Sequence, residues 1–190
     1  MSTPTLLTYY KENVTKALQA KHNYANVHQI PRLEKIVVTT CMGKHPDRKQ
    51  AVEDAVAEIA KITGQKPAMT YARKSVANFK LREGEVLGAR VTLRSTQMWE
   101  FLDRFINIPA PNIRDFRGLP TKSFDGRGNY AIGIPDQSIF PEIELDQIKR
   151  NIGFDIIFVT SATTNDEGRD LLAELGIPFR KPTKKTEENA

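Results

Sequence analysis

The stretch Leu87-Gly88-Ala89-Arg90-Val91-Thr92-Leu93-Arg94 decides the fold. Ala89, Val91 and Leu93 fall on one side of an extended chain, and Arg90, Thr92 and Arg94 on the other. A period of two, with one apolar side and one basic, polar side, predicts a half-buried β-strand. Strands that are dry on one face and wet on the other belong to antiparallel sheets.

The neighbouring segments extend that reading. The β-branched run Ile36-Val37-Val38-Thr39-Thr40, entered after Pro31, predicts a strand over 32–41, and Ala68-Met69-Thr70-Tyr71 predicts a short one after Pro67. Two more strands are expected at 129–134 and 154–162. Helices are expected at 3–20, 48–63, 96–107 and 165–175, each with apolar residues near helical spacing. In the second, Val52, Ala55, Val56, Ile59 and Ile62 form the stripe and Gly64 the stop. In the last, Thr164 and Glu167 have the spacing of a capping box. Residues 108–128, rich in Pro and Gly, read as loops. The expected fold is α+β: a two-layer sandwich with a mainly antiparallel sheet, helices packed on one face, and a long basic loop. Residues 1–179 read as a single domain, and 180–190 as a disordered tail, first basic and then acidic.

Composition narrows the function. A chain of 190 residues, 39% of them hydrophobic, buries a core without disulfide staples. Its one cysteine, Cys41, excludes a disulfide framework and any cysteine-rich metal site. The N-terminus lacks the pattern of a secretory signal, and no apolar run approaches the ~18 residues of a membrane span, so a cytosolic protein is expected. The 28 Lys and Arg exceed the 23 Asp and Glu, a net charge of +5, and they are unevenly placed. Arg73, Lys74, Lys80, Arg82, Arg90 and Arg94 face only Glu83 and Glu85 across 73–94, whereas 135–176 holds three cations against nine acids. Such segregation points to a surface for polyanions.

Catalytic patterns are missing. His22, His28, His45 and Cys41 are the soft candidate ligands, but Cys41 and His45 straddle a turn and no second pair exists, so no metal is expected. There is no G-x-S-x-G elbow, Gly64-Gln65-Lys66 lacks the upstream glycine of a P-loop, and Gly126-Arg127-Gly128 lacks the third glycine of a dinucleotide fingerprint. No enzyme activity, cofactor or small-molecule substrate is expected.

Nucleic-acid binding fits better. Tyr71-Ala72-Arg73-Lys74-Ser75-Val76-Ala77-Asn78-Phe79-Lys80-Leu81-Arg82 interleaves four cations with two aromatics. Cations release counterions from phosphates, and a ring can stack on an unpaired base. Phe79 is either such a platform or an anchor into the core. The segment from Arg114 to Tyr130, with Arg117, Lys122 and Arg127, is the second candidate, and its phenylalanines either contact RNA or pin the loop. A protein–protein adaptor whose basic loop meets an acidic partner is the alternative.

The same residues carry a resemblance. Ile62-Thr63-Gly64-Gln65-Lys66-Pro67, Ala72-Arg73-Lys74-Ser75, Phe79-Lys80-Leu81-Arg82-Glu83-Gly84, Val91-Thr92-Leu93-Arg94, Arg114-Asp115-Phe116-Arg117-Gly118-Leu119, Lys122-Ser123-Phe124-Asp125-Gly126-Arg127-Gly128-Asn129-Tyr130 and Ile139-Phe140-Pro141-Glu142-Ile143 recur in order. Together they closely resemble the bacterial form of the fifth large-subunit ribosomal protein family, from about Tyr9 to Phe179. The resemblance implies a structural protein that attaches 5S rRNA in the central protuberance and also touches large-subunit rRNA. It further implies contact with peptidyl-site tRNA and a bridge to the thirteenth small-subunit ribosomal protein. By the same token Gln65, Thr92, Thr39, Arg90 and Arg94 would face rRNA. Arg73, Lys74, Ser75, Asn78, Phe79, Lys80 and Arg82 would form a mobile tRNA-contacting finger, and Arg114, Arg117, Lys122 and Arg127 would reach the small subunit and, in part, large-subunit rRNA. One departure stands out: Thr39 occupies the position where the family's first strand usually carries Asn, keeping an acceptor and one donor but losing the amide's reach.

Overall fold

In a computed structural model of the chain, residues 3–43, 45–113 and 116–180 are described. Five strands, β1 (Leu33–Cys41), β2 (Ala68–Tyr71), β3 (Val86–Leu93), β4 (Tyr130–Ile134) and β5 (Phe154–Thr160), form one sheet in the order β2-β3-β1-β5-β4. Every pairing is antiparallel. The alternation read at 87–94 holds in β1, β3, β4 and β5, and β2 buries no residue. Ile36 and Val38, Ala89, Val91 and Leu93, Tyr130 and Ile132, and Ile156 and Phe158 are all buried. Each large apolar side chain among them contributes roughly 1.5–3 kcal/mol through burial. Their neighbours in sequence form the other face. Thr92, Val37, Ile157 and Ala131 make one cross-strand row, and Ala68, Arg90, Thr39, Asp155 and Gly133 the next. None of these nine residues is buried.

Helices cover the apolar face. The N-terminal helical run consists of α1 (Thr5–Tyr9), a π turn at Tyr10–Val14, and α2 (Thr15–His22). It is followed by α3 (Arg48–Thr63), α4 (Ser95–Asn107), α5 (Pro109–Asn112) and α6 (Asn165–Glu174). α3 packs chiefly on β3 and also touches β1 and β2, while α4 touches β1. α3 buries Val52, Ala55, Ile59 and Ile62 and ends at Gly64, whose φ of 68° takes the left-handed cap that a residue without Cβ adopts freely. At α6 the predicted capping box is present, with the Thr164 side chain accepting from the Glu167 N–H and the Glu167 side chain returning the bond. Lys21 and His22 at the end of α2 meet Asp170 of α6 at 2.7 and 2.9 Å. Burial raises the Asp170 carboxyl, but the bonds from Lys21 and His22 outweigh that and hold it below the ordinary carboxylate value.

Three expectations need correction. The helix expected at 3–20 is interrupted by the π turn, across which Val14 and Leu18 both reach the core. The stretch 108–128 is not all loop, because Pro109 at the first helical position opens α5. Arg180, expected in the tail, is tied to the folded body: its N–H donates to the Leu119 carbonyl at 2.9 Å. The remainder of the expected tail, 181–190, lies outside the described residues. No helix among the described residues is long and apolar enough to cross a membrane.

Candidate nucleic-acid interface

Two features lie outside the helix-covered core: the open face of the sheet and an arm between β2 and β3. On the open face β3 carries Arg90 and Thr92, with Thr39 of β1 directly opposite Arg90. Arg90 is exposed, and Thr92 and Thr39 are half-buried. The Thr39 hydroxyl donates to the Ala89 carbonyl at 3.2 Å, so it stays oriented but turns its proton inward. Arg94 is exposed just past β3, at the N-cap of α4. Gln65 is not in the sheet. It is half-buried in the turn from α3 to β2, where the Thr63 hydroxyl donates to its carbonyl at 3.2 Å. Thr39, Arg90 and Thr92 therefore form one patch, with Gln65 and Arg94 outside the strands. Asp155, beside Thr39 in the same row, adds a negative charge.

The arm is a hydrogen-bonded hairpin. Its root is closed by Ala72 N–H to Glu85 O at 2.8 Å and Gly84 N–H to Ala72 O at 3.0 Å. Val76 and Leu81 exchange backbone bonds further out, and a 3₁₀ turn at Ala77–Phe79 makes the tip. The Ser75 hydroxyl accepts from the Glu83 N–H at 3.0 Å. With these backbone groups satisfied internally, the arm turns its side chains outward: Arg73, Lys74, Ser75, Asn78, Lys80 and Arg82 are all exposed. Phe79 is 69% exposed and Tyr71 56%, so Phe79 is not a core anchor. None of the arm's four cations has an ion-pair partner among the described residues. A free cation beside an exposed ring is the pairing that grips phosphates while stacking a base.

The second basic segment behaves differently. Phe116 and Phe124 pack against the core, and the Phe124 ring lies 4.8 Å from Tyr130 and 6.0 Å from Phe179. Its phenylalanines are pins. Asp125 accepts from the N–H groups of Arg127 and Asn129 and from the Asn129 side chain, and these bonds, the last foremost, hold its carboxyl below the ordinary value. The Asn165 side chain accepts from the Gly126 and Gly128 N–H groups at 3.0 and 3.2 Å. Arg117, Lys122 and Arg127 are all exposed on this scaffold, and Arg114 lies outside the described residues.

Sequence reasoning missed Arg48 and Glu85, which meet at 2.7 Å behind the arm. One local signal was available. Arg48 and Lys49 open α3 with no acid in its first turn, a placement the helix dipole disfavours. A cleft of about 400 Å³ whose lining includes Asp54, Glu58, Lys61, Glu144, Asp146 and Lys149 is predominantly acidic. Burial and the nearby Asp54 push Glu58 up to about 7.

An antiparallel α+β sandwich with an open face and a cationic arm has the surface chemistry of the polyanion-binding class of protein. Comparison with known proteins agrees. Residues 26–82 match the family described as Ribosomal protein L5, and residues 86–179 match the model for the C-terminus of the same ribosomal protein family. The chain is 53% identical over 178 residues to the large ribosomal subunit protein uL5 of Clostridium botulinum (strain Loch Maree / Type A3), covering 94% of this chain and 99% of that one. It is also 53% identical over 174 residues to the protein of the same name from Chlorobium luteolum, covering 92% and 90%. The chain belongs to the uL5 family of ribosomal proteins. It is thus a structural constituent of the large ribosomal subunit of the cytoplasmic ribosome, associated with rRNA, and not an enzyme.

Proposed function

We propose that this protein holds 5S rRNA to the large subunit through the open sheet face, touches peptidyl-site tRNA with the arm, and reaches the thirteenth small-subunit ribosomal protein from the 108–146 region. Residues 1–179 work as one domain in this role, a reading supported by a continuous core to which every strand except β2 contributes. The observation that carries the reading is the uncovered patch of Thr39, Arg90 and Thr92. Short hydroxyl-bearing side chains suit sugar hydroxyls and minor-groove base edges, and the flanking cations suit phosphates. Gln65 and Arg94 extend this surface beyond the strands. The arm's Arg73, Lys74, Ser75, Asn78, Phe79, Lys80 and Arg82 form the tRNA element. Arg117, Lys122 and Arg127 supply the charge toward the small subunit and large-subunit rRNA.

Binding of the purified chain to 5S rRNA, measured as a function of salt, tests the reading. Each neutralised phosphate adds about 0.7–0.9 to the log–log slope. An affinity that does not change with salt sinks the electrostatic picture. Ultraviolet crosslinking then locates the contact: ribonucleotides are expected on the Arg90/Thr92 strand, and none there means the RNA docks elsewhere.

A further inference from the structure

The proposed function leaves Arg48 without a role, although it is among the most fully engaged side chains near the arm. From the first turn of α3 its Nε donates back to the Gly43 carbonyl at 3.1 Å. Nη1 donates to the Lys80 carbonyl at 2.9 Å and to Glu85 Oε2 at 2.7 Å, and Nη2 donates to the Phe79 carbonyl at 3.4 Å. Phe79 and Lys80 are the tip of the arm. Lys80 has a φ of 51°, the left-handed region that side chains rarely adopt, and the guanidinium grips the carbonyls at and just before it. Glu85 Oε2 also accepts from the Arg82 N–H at 3.2 Å, so the same carboxylate holds the returning strand of the arm. Arg48 is only 21% exposed. One planar fork therefore joins the end of β1, the start of α3, and the tip and root of the arm.

We propose that Arg48, with Glu85, is a positioning residue that latches the arm and presets the direction in which Phe79, Lys80 and Arg82 meet a polyanion. The inference rests on the arm being an RNA-contacting element and adds what shapes it. Arginine is required because its donors lie in a fixed plane and reach several acceptors together, whereas a lysine ammonium is a compact point charge. An arm ordered beforehand loses less conformational freedom on docking, so the latch acts on affinity without touching the ligand.

The test uses the full chain with Arg48→Ala, Arg48→Lys and Glu85→Gln. Amide exchange is read at Lys80 and Leu81, whose N–H groups bond within the arm. The Arg48→Ala and Arg48→Lys variants are both expected to exchange there roughly tenfold faster, with β1 and β3 unchanged. On reconstituted large subunits both should retain tRNA about threefold to tenfold less well, while 5S rRNA binding holds. Glu85→Gln keeps an acceptor and is expected to fall between these variants and the parent chain. If Arg48→Lys restores slow exchange and tRNA retention, charge alone suffices and the latch is overturned. Unchanged exchange in Arg48→Ala overturns it as well. An Arg73→Ala/Lys74→Ala control separates the two levels: if that variant retains tRNA normally, the assignment of the arm fails, whatever the exchange rates show.

Discussion

The arm at 72–84 and the loop at 116–130 are built from the same residues, with phenylalanine, cations and glycine in each, and they fold to opposite ends. In the loop the rings go inward, onto Tyr130 and Phe179, and the polar side chains of Asp125 and Asn165 absorb the backbone N–H groups. In the arm the backbone bonds to itself and to Arg48, and Phe79 points to solvent. Composition names the chemistry available to a segment. Which way that chemistry faces depends on whether an apolar pin or a polar clamp holds the backbone.

That contrast can be broken by substitution. Tyr130→Ala removes a ring with 0% exposure from beneath the loop, and urea unfolding is expected to register a loss of about 3–5 kcal/mol. Gly168→Ala comes next. A Cβ there would lie 2.4 Å from the Gly128 carbonyl, where α6 meets the loop backbone, and pushing the two apart costs about 1–3 kcal/mol in the same measurement. Phe79→Ala should change stability by no more than about 0.5 kcal/mol. It should nevertheless weaken arm-dependent RNA binding by about 1–3 kcal/mol if one base stacks on the ring. A Phe79→Ala variant that unfolds like Tyr130→Ala would erase the distinction between arm and loop.

The pH response gives smaller effects, with opposite signs in different parts of the molecule. Asp125 has a lowered value, so its contribution is present above the ordinary 3.8 and is lost as pH falls through the lower folded value. Asp125→Asn should therefore shrink the acid-side loss of stability seen by thermal unfolding. Glu58 is raised to about 7 from 4.5, so the folded chain prefers its protonated form. Stability should accordingly decline as pH rises from about 4.5 to about 7 and then level off. Glu58→Gln should remove that slope, which is on the order of 1 kcal/mol once solvent screening of a partly exposed carboxyl is allowed for. Like signs from the two variants would contradict this account.

Much of the fold was legible because its signals are local. Val52, Ala55, Ile59 and Ile62 mark α3 by spacing, Gly64 ends it, and the bond between Thr164 and Glu167 starts α6. Alternation from Ala89 to Leu93 set the two faces of β3. The strand order was not legible, since β1 lies between β3 and β5 through pairings that no short window contains. At the site, the exposed cations of the arm could be read off directly, whereas the direction of Phe79 and of the loop phenylalanines could not. The decisive contacts there join Arg48 to Phe79 and Lys80, and Phe124 to Phe179, across stretches of chain with no shared pattern. For the same reason the finger expected from composition gave no hint of its internal order: the backbone bonds that close the arm leave no mark in residue content.

The central position of β1 has a consequence for biosynthesis. Val37 pairs with Thr92 on one side, 55 residues on, and with Ile157 on the other, 120 residues on. A nascent chain can join β1 to β3 while β5 is still unmade, leaving one edge of β1 unpaired until residues 154–160 emerge. Chains truncated before residue 154 should consequently be sticky and protease-sensitive, and the full sheet should close only as the last strand leaves the exit tunnel.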